Sequence, residues 1–93
     1  MATDLNADQI ARFLSEHPQW VLEGASIRRE FIFDDFNQAL GFVVRIGAAS
    51  EVADHHPDID IRWNRVTCLL STHSERALTS RDLALAAKFD TFS

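Results

Sequence analysis

Apolar side chains recur at intervals of three and four residues in three stretches of the chain, a periodicity that predicts three amphipathic helices. The predicted helices begin at Ala7, at Phe36 and directly after Thr79. The first ends at His17-Pro18, because proline disfavours helical backbone in the preceding residue, and the second ends near Asp54. Each helix start has the spacing of a capping box. The pairs are Asn6 with Gln9, Asp35 with Gln38, and Thr79 with Asp82.

Between the helices, apolar and polar residues alternate with a period of two, which predicts two pairs of strands. The predicted strands are residues 20–23, 27–33, 58–63 and 66–71. Gly24-Ala25 and Asn64-Arg65 are the predicted turns. The third strand is predicted to bury one face, formed by Ile59, Ile61 and Trp63. Arg29 interrupts the alternation of its strand, and we expect it at a strand end or edge, where a long side chain reaches water.

The predicted order of elements is α-β-β-α-β-β-α. Strands joined by short turns pair antiparallel, and helices gathered on one face of such a sheet give an α+β fold. We therefore predict a four-stranded antiparallel sheet with three helices on one face. The apolar run from Val66 to Ser71 predicts a central strand, or one covered on both faces. A chain of 93 residues supplies one core, so residues 1–93 are predicted to form a single domain.

Two apolar stripes run along the long second helix, although a helix that covers one face of a sheet needs only one. One stripe contains Phe36, Leu40, Val43 and Gly47. The other contains Ala39, Phe42, Ile46, Ala49 and Ala53. The small residues near the second stripe favour close approach to another helix, which could belong to a second subunit. The alternative is that both stripes form one wide buried face within the chain.

Charge and composition narrow the classes of function. The net charge of −5 and the single lysine, Lys88, argue against sequence-independent nucleic-acid binding. No apolar run approaches the roughly 20 residues that cross a bilayer. The first residues, Met1 to Leu5, carry neither a basic nor an apolar signal region, so we expect a cytoplasmic protein. Cys68 cannot form an internal disulfide, and its apolar neighbours favour a buried, inert thiol.

The candidate catalytic residues lie in the second half of the chain. The run Asp54-His55-His56-Pro57 follows the long helix, and His73 follows the fourth strand. These histidines could line one cleft if the second hairpin returns to the helix end. Three interpretations are open: loop histidines at the surface, a metal site, or metal-free acid–base catalysis. The metal interpretation lacks a His-x-x-x-His or Glu-x-x-His pair. His17 is expected to be solvated or to interact with the dipole of the first helix.

One combination of residues is more specific than these features. The run Glu51-x-x-x-His55-His56-Pro57 is followed by an aromatic residue, Trp63, and then by His73 and Asp82. With these residues at these spacings, the chain closely resembles the pterin-4a-carbinolamine dehydratases, and the resemblance extends over most of its length. It implies a four-stranded antiparallel sheet with helices on one side, in agreement with the fold predicted above.

The resemblance also implies a reaction and a site. The implied reaction is dehydration of a 4a-hydroxytetrahydropterin, the product of aromatic amino-acid hydroxylases, to a quinonoid dihydropterin, with no metal or other cofactor. The implied site residues are the catalytic histidines His55, His56 and His73 and the supporting or substrate-binding residues Asp82, Glu51 and Trp63. His55 and His73 are favoured as the proton-transfer pair, and His56 as a substrate-orienting donor. For Asp82 the alternatives are a capping acid alone or a cap that also contacts a histidine or the substrate. Glu51 has the alternative of a plain helix-surface acid.

The expected partners rest on both the resemblance and the residues. The resemblance implies a reduced pterin substrate and a possible link to an aromatic amino-acid hydroxylase. The two stripes of the long helix favour a homodimer or homotetramer, and the charge and hydropathy argue against direct contact to nucleic acid or membrane. Ile59 stands where many members of the family carry tryptophan. The resemblance therefore does not determine the shape of the apolar wall of the pterin pocket, nor the substrate preference. The alternative function is a protein-binding or dimerisation module that acts as a transcriptional or hydroxylase cofactor through the long helix.

Overall fold

The computed structural model describes residues 3–93, and its elements follow the predicted order. The helices are α1 (Ala7–Glu16), α2 (Phe36–Ala53) and α3 (Ser80–Asp90), and the strands are β1 (Val21–Glu23), β2 (Ser26–Ile32), β3 (Asp58–Arg62) and β4 (Arg65–Leu70). Met1 and Ala2, on which part of the signal-region expectation rests, lie outside the described residues. In the described part of the chain, no helix combines the length and the apolar character needed to cross a membrane.

The strands form one antiparallel sheet in the order β1-β2-β4-β3, which confirms the predicted α+β fold. The predicted central position of β4 is also confirmed, since β4 pairs with both β2 and β3. Its register places Phe31 opposite Val66 and Arg29 opposite Cys68. Because β3 enters the sheet from the end of α2 and β4 leads out towards α3, the hairpin carries both of its outer ends to one edge of the molecule.

The helix starts are capped as the sequence predicts. Asn6 and Gln9 form a complete capping box, and so do Thr79 and Asp82. The side chain of Asp35 accepts a hydrogen bond from the backbone N–H of Gln38, without the reciprocal bond. These bonds satisfy backbone donors that an uncapped helix start leaves unpaired, so each helix begins at a defined residue.

A hydrophobic core lies between the helices and one face of the sheet. Its largest contributors are Phe13, Trp20, Ile27, Phe31, Phe42, Ile46, Val66, Leu70, Leu85 and Phe89. Glu30 and Ile32, on the opposite face of β2, are exposed, as expected for a sheet that helices cover on one side. Cys68 is buried in this core, as predicted, and burial raises the pKa of its thiol to about 12. The reactive thiolate is therefore scarce near neutral pH.

The two apolar stripes of α2 differ in burial. Ala39, Phe42 and Ile46 are buried inside the chain, so the interpretation of their stripe as a subunit contact is wrong for these residues. Phe36 and Leu40, in the other stripe, keep 47% and 44% of their surface exposed. The first stripe is therefore open at Phe36 and Leu40, whereas Ala39, Phe42 and Ile46 of the second stripe are covered within the chain.

The β3–β4 turn lies one residue earlier than predicted. Arg62 pairs with Arg65, so Trp63 and Asn64 form the turn, and Arg65 is already part of β4. Trp63 has a left-handed φ of 49° and is 69% exposed, so its predicted place on the buried face of β3 is wrong. Ile59 is also 39% exposed, because β3 is an edge strand that the helices cover only in part.

Arg29 and His17 also depart from expectation. Arg29 lies inside the sheet on β2, where its Nη1 is 2.7 Å from Asp90 Oδ1 and its guanidinium stacks over the ring of Phe31. His17 is not simply solvated, because its Nδ1 lies 2.8 Å from Asp90 Oδ2 and its ring stacks on Phe13. The carboxylate of Asp90 in α3 thus binds both side chains. The local sequence pattern did not predict these two contacts.

Candidate active site

The site begins where α2 ends. Asp54 closes the helix in the left-handed conformation, with φ 51° and ψ 44°, which a short polar side chain tolerates. The next residue, His55, donates its backbone N–H to the carbonyl of Ser50 at 3.1 Å. From α3, the Arg81 guanidinium donates to the carbonyl of Asp54 at 2.6 Å. This reversal of the chain explains why the two adjacent histidines have different environments.

His55 points into the protein and pairs with a buried acid. Its Nε2 lies 2.5 Å from Oδ1 of Asp82, and the two residues are 8% and 0% exposed. Because a carboxylate can only accept, the Nε2–H of His55 donates this bond. The other ring nitrogen, Nδ1, has no hydrogen-bond partner within residues 3–93 and is free to exchange a proton with a ligand.

Asp82 makes a full set of hydrogen bonds besides the one from His55. Its Oδ2 accepts from the Thr72 hydroxyl at 2.8 Å and from the Thr79 backbone N–H at 2.9 Å. A buried carboxylate is costly unless such donors satisfy it. The acid therefore caps α3 and holds His55 at the same time, which is the alternative of a cap combined with a histidine contact.

His56 points outward and pairs with Glu51. The two side chains meet at 2.6 Å between Nε2 and Oε1, and they are 53% and 79% exposed. Solvent weakens an exposed contact of this kind, which contributes little to stability. Its effect is to orient one ring nitrogen of His56 towards α2 and leave Nδ1 to face away from Glu51.

His73 lies in the loop between β4 and α3. Hydrogen bonds between the backbones of Thr72 and Ala77 close this loop, and the carbonyl of His73 accepts from the N–H of Arg76 at 3.2 Å. The His73 side chain is exposed and makes no hydrogen bond to the described residues. Among the three histidine side chains, that of His73 therefore has the fewest hydrogen bonds to restrain its ring.

These elements bring the three predicted histidines to one cleft of about 220 Å³. The cleft is lined by Asp54, His55, His56, Ser71, Thr72, His73, Ser74 and Arg81. Two larger concavities adjoin it, a groove of about 710 Å³ between α2 and α3 and a hollow of about 400 Å³ beside the β4–α3 loop. Arg81 lines all three, and the groove otherwise presents mainly alanine and apolar side chains. All three histidines line the smaller cleft, and His55 also lines the groove.

The structure does not bring every predicted site residue to the cleft. Glu51 reaches it only through His56, and Asp82 only through His55 and Thr72. Trp63 lies at the far end of the β3–β4 hairpin from the cleft, roughly 16 Å from the start of β3 at the usual rise per residue. Its predicted contact with substrate stays a prediction that this single chain does not support geometrically.

Thr72 and Arg81 are cleft residues that the sequence analysis did not single out. Thr72 directly precedes His73, and Arg81 lies between the capping residues Thr79 and Asp82, but neither position alone indicates a contact with the histidine cluster. Within residues 3–93, no group of three His, Cys, Asp or Glu side chains is arranged to hold a metal ion.

A buried aspartate–histidine pair and two further histidines at one cleft define a small α+β protein equipped for proton transfer. The chain belongs to the pterin 4 alpha carbinolamine dehydratase family, whose sequence profile matches residues 3–92. Two bacterial relatives are each named "Putative pterin-4-alpha-carbinolamine dehydratase". The one from Mycobacteroides abscessus is 52% identical over 94% of this chain and 93% of its own, and the one from Roseiflexus castenholzii is 44% identical over 97% of both.

Solved structures agree with this assignment. A protein from Brucella melitensis described as a transcriptional coactivator/pterin dehydratase superposes with a TM-score of 0.88 at 33% identity, over 95% of this chain and 96% of its own. A pterin dehydratase-like protein described as a RuBisCO assembly factor in the alpha-carboxysome superposes with a TM-score of 0.66 at 23% identity, over 78% of this chain and 84% of its own. The second likeness concerns the fold alone.

Proposed function

We propose that this protein dehydrates a 4a-hydroxytetrahydropterin to a quinonoid dihydropterin and water. In this reaction a base removes the proton of a pterin ring nitrogen, a carbon–nitrogen double bond forms, and the carbon–oxygen bond at C4a breaks as an acid protonates the departing hydroxyl. The observation that carries the proposal is the convergence of three histidines on one cleft, one of them held by a buried carboxylate. Family membership supports the choice of a pterin as substrate.

The contacts favour a division of roles. His55 has Nε2–H committed to Asp82, so its free Nδ1 is suited to take a proton, and the carboxylate can stabilise the positive charge that the ring then acquires. His73 has no competing hydrogen bond within the described residues and is suited to protonate the leaving hydroxyl. His56, oriented by Glu51, is suited to donate a hydrogen bond to the pterin. One imidazole can act as base while another acts as acid at the same pH.

The size of the cleft bears on how the substrate binds. A volume of about 220 Å³ is below the range of roughly 300–1,000 Å³ typical of small-molecule sites. In our proposal the reacting part of the pterin occupies the cleft, and its substituent extends past Arg81 into an adjoining concavity. The reaction would require neither a metal nor another cofactor, and it would place the protein downstream of an aromatic amino-acid hydroxylase.

The first test is an activity measurement. Freshly generated 4a-hydroxytetrahydropterin should lose its ultraviolet absorbance faster with the protein than in buffer. His55→Ala and His73→Ala should each slow this reaction by about 10²–10⁴-fold, the usual effect of losing a general acid or base. The matched control is His17→Gln, which removes a histidine that lies outside the cleft, and it should stay within about threefold of the wild type. Wild-type protein with no activity above buffer would exclude the proposal.

A second function, as a dimerisation module, is favoured by the open side of α2. Val44 is 66% exposed and continues the side that carries Phe36 and Leu40, an apolar surface suited to association. The Brucella relative described as a transcriptional coactivator supports this candidate. A homodimer or homotetramer would use the same surface, and the catalytic cleft uses different residues.

The size of the protein in solution tests this second function. Wild-type protein at micromolar concentration should sediment as an oligomer, and Val44→Glu should lower its mass to that of the monomer without loss of helical circular dichroism. Gln38→Glu adds the same charge on another side of α2 and should leave the mass unchanged. A wild type that is monomeric throughout would remove the support that this surface provides.

The compartment that we propose is the cytoplasm. The free, buried thiol of Cys68 fits a reducing compartment, where disulfides are rare.

A further inference from the structure

We propose that Thr72 is the positioning residue that fixes His55 and His73 relative to each other. The inference rests on the proposed dehydratase function, because it concerns the two histidines assigned to proton transfer. Thr72 is 3% exposed and lies at the point where β4 gives way to the loop that carries His73. Its side chain and its backbone serve different histidines.

The side chain of Thr72 acts on His55 through Asp82. Its hydroxyl lies 2.8 Å from Asp82 Oδ2 and 2.7 Å from the hydroxyl of Thr79. A carboxylate cannot donate, so the single hydroxyl proton of Thr72 goes to Asp82, and the Thr79 hydroxyl must donate to Thr72. The direction of each bond is thereby determined: Thr79 to Thr72, Thr72 to Asp82, and His55 Nε2–H to the other carboxylate oxygen.

The backbone of Thr72 acts on His73. Its N–H donates to the carbonyl of Ala77 at 3.0 Å, and its carbonyl accepts from Glu75 at 3.0 Å and from Ala77 at 3.5 Å. These bonds close the loop of residues 72–77 around His73, which has no side-chain bond of its own within the described residues. Thr72 therefore contacts the loop through its backbone and the buried carboxylate through its hydroxyl, and a displacement of the whole residue would disturb both sets of bonds.

This arrangement explains why a hydroxyl is needed at a buried position. Without it, one oxygen of Asp82 would keep the Thr79 N–H as its partner, but the Thr79 hydroxyl would lose its acceptor and the carboxylate could tilt. A tilt would move the Nδ1 atom of His55 away from the geometry set by the loop. Proton transfer is sensitive to such displacements, since about 1 Å can cost roughly 10²-fold in rate.

The first test compares two substitutions of Thr72 by steady-state kinetics. Thr72→Val keeps the shape and removes the hydroxyl, and kcat should fall roughly 10- to 100-fold while KM stays within about threefold. The pH profile of kcat should also shift, because the environment of His55 changes. Thr72→Ser restores the hydroxyl and should recover kcat to within about threefold of the wild type. Thr67→Val is the matched control, because Thr67 lies on the other face of β4.

The second test is independent of activity. The ring resonances of His55, followed by NMR without substrate, should shift in Thr72→Val, which keeps the backbone bonds of the His73 loop, and should stay unchanged in Thr67→Val. A folded Thr72→Val protein with wild-type kcat and unshifted histidine resonances would overturn the inference. If Thr72→Val does not fold, Thr72→Cys, a weaker donor, should shift the same resonances, and unshifted ones would again overturn it. An inactive wild type would contradict the proposed function, while the resonances would still decide the role of Thr72.

Discussion

Single carboxylates determine much of the structure around the start of α3. Asp82 combines capping of the helix with a hydrogen bond to His55, and the sequence predicted the first contact but left the second open. The two contacts differ in sequence separation. The cap joins residues that are three positions apart, whereas His55 is 27 positions away from Asp82. A capping box is visible in a local window, and a partner on another element is not.

Asp4 is a second carboxylate at the same helix start. Its two oxygens accept hydrogen bonds from the hydroxyl and the backbone N–H of Ser80, the latter at 2.8 Å. The hydroxyl bond is the main cause that holds the pKa of Asp4 below its usual 3.8, and the backbone bond is the next. A carboxyl whose pKa is lowered on folding stabilises the folded state above its usual pKa, and this contribution disappears as the pH falls through the lowered value.

We therefore predict a pH-dependent effect of Asp4→Asn. At about pH 6 the variant should have a lower melting temperature than the wild type, because it loses the charged acceptor. Below the usual carboxyl pKa of 3.8 the difference should shrink, since the wild-type carboxyl becomes protonated as well. Thermal unfolding followed by circular dichroism at several pH values measures this. Asp34→Asn, which changes an exposed acid, is the control, and an equal difference at all pH values would contradict the prediction.

At the scale of the elements, periodicity predicted the bounds of α2 but not its orientation. Its start at Phe36 and its end next to Asp54 agree with the caps and the pattern. Two apolar stripes of similar strength made it impossible to tell which one faces the sheet. Burial of Phe42 against Phe31, with ring centroids 4.6 Å apart, settles the orientation through a contact with β2.

The second hairpin shows a similar limit. Its two strands and their pairing were predicted, but the turn was placed one residue late because Asn64 is a stronger turn residue than Trp63. The observed register places Val66, Cys68 and Leu70 on the core face of β4. A shift of one residue would turn all three towards solvent, so core burial outweighs the preference of the turn residue.

At the scale of the whole molecule, Asp90 connects elements from both ends of the chain. Near the end of α3, it accepts hydrogen bonds from His17 after α1, from Trp20 before β1 and from Arg29 in β2, at 2.7–2.9 Å. The carboxylate and the guanidinium are 18% and 16% exposed, so the ion pair is largely shielded from solvent. Asp90 thereby fixes the first third of the chain against the last helix.

We expect Asp90→Asn to destabilise the protein by about 2–3 kcal/mol, somewhat less than for a fully buried ion pair because some solvent reaches the site. The substitution leaves the Arg29 charge without a counter-charge and directs an amide N–H₂ towards donors. Urea unfolding measures the change in the free energy of unfolding. Asp34→Asn should change it by less than about 0.5 kcal/mol. A loss at Asp90 no larger than the loss at Asp34 would show that the three contacts contribute little.

The sequence by itself determined the order of the elements, the helix caps and the set of histidines, because caps, turns and periodicity depend on residues close together in the chain. Only the tertiary structure decided that His55 faces a buried acid while His56 faces solvent, that Thr72 joins the cluster, and that Arg29 lies in the interior. The deciding partners of His55, Thr72 and Arg29 are 10 to 61 residues away in the chain, and their positions follow from sheet register and helix packing.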